Sequence, residues 1–199
     1  MSQAADALMG VFGFKRVKPK RCKVCKEEFI PSRMGQKVCG PDCASQMVKK
    51  MREKAERADD RRKKEALKTR SQWMKEAQIA FNAYIRERDK NRPCICCGRP
   101  LADSGVGGGF DCGHYRSVGS APHLRFNEDN AHGQTKQCNR WGAGRAVDYR
   151  IGLIRRIGLE AVEVLESNQT PRNYSIDDLK EIIQTYRAKL KDLKIKEAA

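Results

Sequence analysis

Aromatic residues are scarce in this chain, at 7% of 199 residues, while charged residues make up 33%. So thin an apolar supply excludes one large core and favours small modules stapled by metal and joined by helix. No apolar run approaches the roughly 20 residues needed to cross a bilayer, so no membrane partner is expected. The stretch from Met1 to Phe14 lacks a charged segment followed by an apolar one, so no secretory leader is read there. No Gly-Lys-Ser/Thr follows the glycines of Gly105 to Gly109, which excludes a phosphate loop. Residues 44–70 contain neither glycine nor proline, and no sustained apolar heptad that would make a coiled coil. These absences point to a soluble, intracellular protein built from small parts.

Acidic residues are also in short supply. The net charge is +16, and the excess is uneven: residues 1–43 hold 9 basic and 4 acidic side chains, 44–70 hold 11 and 5, 71–145 hold 11 and 7, and 146–199 hold 10 and 9. A basic excess of this size favours a polyanion through counterion release. Few aromatics accompany it, which argues against base stacking as the main mode of RNA binding.

Nine cysteines are present. Their C-x-x-C spacings favour metal over disulfides, and the odd number leaves at least one thiol unpaired. Cys22, Cys25, Cys39 and Cys43 form two close pairs, the pattern of a closed structural Zn²⁺ site. Phe29 would be a minimal core there. Lys20, Arg21, Lys23 and Lys26 around it suggest a nucleic-acid or protein docking knob.

The expected fold is α+β, small and mostly helical. Residues 1–20 read as a basic flexible tail and 21–45 as a zinc-ribbon-like module with four cysteine ligands. Residues 46–70 read as a charged helical linker, with Arg61, Arg62, Lys63 and Lys64 available to DNA. Residues 71–145 form a module led by an amphipathic helix carrying Trp73, Ala77, Ala80, Phe81 and Tyr84, capped by Ser71 and stopped by Pro93. Residues 146–199 are expected to form a C-terminal helical hairpin. Its first helix runs from about Val147 to Ser167, with Ile151, Ile154, Ile157, Ala161 and Leu165 on one face. Its second is capped by Ser175 and Asp178 and carries Ile176, Leu179, Ile182, Ile183, Tyr186 and Leu190. The near-neutral hairpin suits packing or a homodimer contact.

Hydrolysing a phosphodiester near neutral pH needs a base for the attacking water, relief of charge at phosphorus and support for the leaving oxygen. A histidine suits the first, since its pKa lies near neutrality. A divalent cation on oxygen ligands suits the others. His114, within Asp111-Cys112-Gly113-His114-Tyr115-Arg116, is the candidate base. Asn130 and Asn139 follow it, and Cys138 places the Asn139 amide beside a metal-type cysteine. Arg116 and Arg125 are candidate phosphate ligands.

From Ser71 onward the chain resembles the lambdoid-phage NinG (Rap) recombination endonucleases. The resemblance rests on Tyr84-Ile85-Arg86-Glu87-Arg88-Asp89, Pro93-Cys94-Ile95-x-Cys97-Gly98, Gly113-His114-Tyr115-Arg116, Leu124-Arg125-Phe126-Asn127-Glu128 and Arg156-Ile157-Gly158, with Cys22-Lys23-x-Cys25-Lys26 matching further upstream. It implies a phage-encoded, structure-dependent endonuclease for branched recombination intermediates such as Holliday junctions and D-loops, with phage or host recombination proteins as partners. It also implies an HNH-like ββα-metal zinc module. In that module His114 would be the general base and Asn130 would orient it. Asn139 would hold Mg²⁺ or Mn²⁺. Asp111 would be a second ligand or a hairpin-shaping residue, and Cys94, Cys97 and Cys138 would hold a second structural zinc. Two positions depart from the family pattern: Thr135 stands where a cysteine is usual, and Trp141-Gly142 where His and Lys follow. The fourth zinc ligand is therefore open between His132, slightly favoured, and Cys112, with a loose or empty site as the third choice. The alternative function is a non-catalytic branched-DNA-binding accessory with a degenerate site.

Overall fold

The computed structural model describes residues 18–101, 109–142 and 144–198. Most of the expected basic tail of residues 1–20, and most of the Gly105–Gly109 stretch, lie outside them, while Lys20 is already part of a strand. The chain divides into two compact units, Met1–Leu67 and Lys68–Ala199.

The first unit is small. Strand β1 (Lys20–Arg21) pairs antiparallel with β2 (Glu28–Phe29), Lys20 opposite Phe29. The turn between them is closed by Cys22 N–H to Glu27 O at 2.8 Å and Lys26 N–H to Cys22 O at 3.1 Å, with Lys26 at φ 67°. Helix α1 (Pro41–Ala66) opens with proline at its first position, where the missing N–H costs nothing. None of its residues is buried. Its charged side chains support it only locally, as when Asp59 meets Arg62 and Lys63 across one turn.

The second unit is built on helix α2 (Arg70–Asp89). Its cap is Thr69 rather than the expected Ser71. Thr69 and Gln72 form a reciprocal capping box, whereas Ser71 is already inside the helix. Trp73, Ala77, Ala80, Phe81, Tyr84 and Ile85 are buried along one stripe. Against them lie Leu179, Ile183 and Tyr186 of the last helix, α5 (Ile176–Ala198), so the two longest helices of this unit share one apolar cluster. Rings of Phe81 and Tyr186 meet edge to face at 4.8 Å. The Ser175–Asp178 capping box is present, with Asp178 N–H to Ser175 Oγ at 3.1 Å and Ser175 N–H to Asp178 Oδ2 at 2.8 Å.

Strand β3 (Phe110–His114) and β4 (Ala131–Thr135) form an antiparallel pair, His114 opposite Ala131 and Asp111 opposite Gln134. After β4, Gln137–Trp141 makes a five-residue π turn that carries Cys138 and Asn139. Helix α3 (Ala146–Ile157) follows, then α4 (Leu159–Ser167). The single helix expected over 147–167 is broken at Gly158, whose φ of +89° is open to glycine and ends α3. The buried face overlaps the expected one, with Leu165 inside the cluster and Ile154 and Ile157 packed against it. Tyr149, Leu153, Val162 and Leu165 are buried with Ile95 and Leu124, while Ile151 is 46% exposed. The expected C-terminal hairpin is replaced by two pairings, α3 with α4 and α5 with α2. Periodicity gave α5 an apolar stripe, but Phe81 and Tyr84 on α2 provide the larger aromatic surface to cover it.

Candidate functional site

The four sulfurs of Cys22, Cys25, Cys39 and Cys43 lie within 4.8 Å of one another. Cys25 Sγ and Cys39 Sγ are 3.6 Å apart, as are Cys39 Sγ and Cys43 Sγ. A zinc tetrathiolate with bonds of about 2.3 Å has sulfur edges of about 3.8 Å, so the donor set fits Zn²⁺. Burial resists charge on Cys22, but N–H groups of Val24, Cys25 and Cys39 outweigh it and lower its pKa to about 6. Cys39, beside the sulfurs of Cys43 and Cys25, is pushed up to about 12.

Cys94, Cys97 and Cys138 form a second cluster with sulfurs within 4.8 Å. The knuckle turn is set by Cys94 N–H to Arg99 O at 2.8 Å and Gly98 N–H to Cys94 O at 3.0 Å, with Gly98 at φ 70°. Ile95 N–H binds Gly133 O at 3.2 Å, which ties the knuckle to β4. Three soft donors suit zinc, but neither proposed fourth ligand joins them. Both ring nitrogens of buried His132 are engaged: Nε2 donates to Asp129 O at 3.1 Å, and Nδ1 accepts from Arg88 Nη2 at 3.0 Å. Cys112 packs against the α2 cluster. Thr135 stands beside the first of these thiols, its Oγ1 at 3.8 Å from Cys94 Sγ.

His114 ends β3, half-buried, its ring 6.0 Å from that of Phe81. Its Nε2 lies 3.0 Å from Arg125 O. A carbonyl can only accept, so Nε2 carries the proton and Nδ1 keeps its lone pair while the ring is neutral. Burial lowers the imidazole pKa, the Arg125 carbonyl opposes this, and the Arg125 charge adds to it. Asn130, fully buried, closes the intervening loop. Its Oδ1 accepts from Arg116 N–H at 2.8 Å, and its Nδ2 donates to Arg116 O at 3.0 Å and Leu124 O at 3.2 Å. Asn130 therefore holds the backbone of Arg116 and Leu124, and His114 meets the carbonyl of the next residue, Arg125.

Asp111 and Asn139 also meet, Asn139 Nδ2 donating to Asp111 Oδ2 at 3.1 Å. Arg140 grips the same carboxylate through Nε at 2.8 Å and Nη2 at 3.1 Å. Burial would raise the Asp111 pKa, but Arg140 and then Asn139 hold it below the usual range. A carboxylate and an amide suit a hard cation. The positive charge now there is the guanidinium. Asp111 and His114 are three residues apart on one strand, so their side chains leave opposite faces. His114 faces α2, and Asp111 faces the Gln137–Trp141 turn. The structure brings together each half of the expected site, but not the two halves.

The basic residues fall into two groups. Lys20, Arg21, Lys23, Arg61, Arg62, Lys63 and Lys64 are exposed. Arg116 is instead a helix cap: its Nη1 donates to Leu165 O, Glu166 O and Asn168 O at 3.1–3.2 Å, satisfying carbonyls at the end of α4. Arg125 donates to Gln78 Oε1 at 3.1 Å. Two features escaped the sequence. Asp89, fully buried, accepts from Arg88 at 2.8 Å and from Gly133 N–H at 2.8 Å, with Arg156 Nη1 at 3.5 Å. Burial resists its charge, yet the His132 and Arg88 partners lower its pKa strongly. Beside it, a cavity of about 570 Å³ between the knuckle and α3 is lined by Arg92, Arg155 and Arg156. The adjacent Arg155-Arg156 pair was the available signal for it.

Comparison with known proteins adds a family. The family described as "Bacteriophage Lambda NinG protein" matches residues 14–197. The chain is 43% identical over 195 residues to Protein ninG of Escherichia phage lambda, covering 88% of this chain and 93% of that one. It is 42% identical over 193 residues to Protein ninG of Escherichia phage 933W, with 88% and 94% covered. It is 41% identical over 195 residues to Protein ninG of Salmonella phage P22, again with 88% and 94% covered. No solved structure matches.

Proposed function

The chain belongs to the NinG family of bacteriophage proteins, and we propose that it is a DNA endonuclease selective for branched recombination intermediates such as Holliday junctions and D-loops. The tethered imidazole of His114 carries this reading. Its Nε2 proton is committed to Arg125 O at 3.0 Å, and burial keeps the ring neutral, so Nδ1 is poised to take a proton from an attacking water. The loop presenting Arg125 is held by Asn130, which makes Asn130 a positioning residue. Asp111 and Asn139 are the oxygen-bearing pair that would hold Mg²⁺ or Mn²⁺, which supplies charge relief at phosphorus when bound. They face away from His114, so no step joining cation and base is written. The exposed basic side chains of α1 and of the β1–β2 turn would carry DNA backbone.

A second reading is favoured by one observation. Asp111 is already satisfied by Arg140, on the strand face opposite His114. That arrangement suits a branched-DNA-binding accessory without cleavage. A synthetic four-way junction and a matched linear duplex, each with and without Mg²⁺ or Mn²⁺, separate the two. The endonuclease cuts the junction, and His114→Ala abolishes cutting while junction affinity and zinc content stay unchanged. Binding without cutting under every condition selects the accessory, and normal cutting by His114→Ala removes the assignment of the base.

A further inference from the structure

Three thiols converge at the knuckle where a closed zinc site needs four donors. The fourth corner is bounded by Thr135. Its Oγ1 stands 3.8 Å from Cys94 Sγ, accepts Cys138 N–H at 3.3 Å, and its own N–H points at Cys94 Sγ at 3.3 Å. A sulfur–oxygen edge in a zinc tetrahedron is about 3.5 Å, from bonds of about 2.3 and 2.0 Å. The hydroxyl is therefore placed beside an oxygen donor rather than far from the centre. A neutral hydroxyl is a weak zinc ligand but a good partner for a bound water.

We propose that this centre binds zinc through Cys94, Cys97 and Cys138 and leaves its fourth position to a solvent oxygen held by the Thr135 hydroxyl, so that its metal exchanges while that of the four-cysteine site does not. The surroundings suit such a centre. Arg99 Nε lies 3.5 Å from Cys97 Sγ and offsets negative charge on the sulfurs. Two rival donors are held elsewhere. His132 is locked between Arg88 and Asp129 O, and Cys112 packs against α2. Cys96 is the nearest competitor: its thiol meets that of Cys94, but it stays outside the set of sulfurs within 4.8 Å of one another and accepts from Gln134 Nε2 at 2.9 Å. Three protein ligands with solvent in the fourth position is the coordination of exchangeable and catalytic zinc, not of closed structural zinc.

The test uses the full-length zinc-loaded protein and a chromophoric chelator, with no nuclease readout, so it stands or falls apart from the endonuclease reading. Release should occur in two phases. The fast one should lead by at least about tenfold, since even outer partners of a metal ligand are worth that much in affinity. Thr135→Cys should move the fast phase into the slow one, and Cys96→Ser should leave both phases in place. With Co²⁺ in both sites, sulfur-to-metal charge-transfer absorption should correspond to seven thiolates in the wild type and eight in Thr135→Cys. A single release phase in the wild type overturns the proposal. So does loss of a thiolate signal in Cys96→Ser, which would make that residue the fourth ligand.

Discussion

Around Cys22, Cys25, Cys39 and Cys43 the chain has little else to fold on, whereas Cys94, Cys97 and Cys138 sit on a unit with its own apolar clusters. Among the described residues of the first unit only Cys22 and Pro31 are buried, and Phe29 is half-exposed rather than a core. In the second unit Cys94 and Cys138 are packed with Leu101 and Phe110, next to clusters centred on Phe81 and Tyr149. The same chemistry therefore has two weights. In the first unit a bound metal would take the place of a core, and in the second it would trim a turn that packing already positions.

The largest expected effect breaks this comparison at its root. Structural zinc is worth about 10–16 kcal/mol to a small domain that cannot fold without it. Stripping both metals should therefore abolish hydrogen-exchange protection across residues 20–43 while residues 73–86 and 179–186 stay protected. Equal loss in both units would show that the second also depends on its metal. Next in size is Phe81→Ala, which removes a fully buried ring contacting Phe126 and Tyr186. It should cost the second unit about 3–5 kcal/mol in urea unfolding and leave zinc retention by the first unit unchanged.

The smallest effect is a pH response belonging to the second unit. His114 and His132 are both held neutral, by burial first, and their pKa values lie below the ordinary range. The unfolded chain binds more protons than the folded one between those lowered values and about 6.5. Stability is full above about 6.5 and declines as pH falls toward the folded values. Urea midpoints of the metal-stripped protein at pH 7.5 and 5.5, followed at α2, should show this decline. His114→Phe should reduce it.

Local features of this molecule are readable in its sequence, and long-range ones are not. Cysteine spacing identifies the first cluster because both ligand pairs are local in sequence. Periodicity identifies α2 and the stripe of α5, and Ser175 with Asp178 marks the start of the latter. That α5 lies on α2 depends on which large surfaces need covering, which no single-helix pattern contains. His132 looks like a ligand because it stands near Cys138, but its partners come from Arg88, which the fold brings across. Arg116 looks like a phosphate ligand because nothing nearby reveals the three carbonyls ending α4. The break at Gly158 has a local signal, the glycine itself, which the apolar period running through it masks.

Gly152 gives α3 a further property. A Cβ there would lie 1.8 Å from Ile95 O, so the helix rests directly on the backbone between Cys94 and Cys97. No side chain cushions that contact. Arg155 and Arg156 ride on the same helix, one turn farther on. Any side chain at position 152 would have to prise the helix off the knuckle and carry both guanidinium groups away with it.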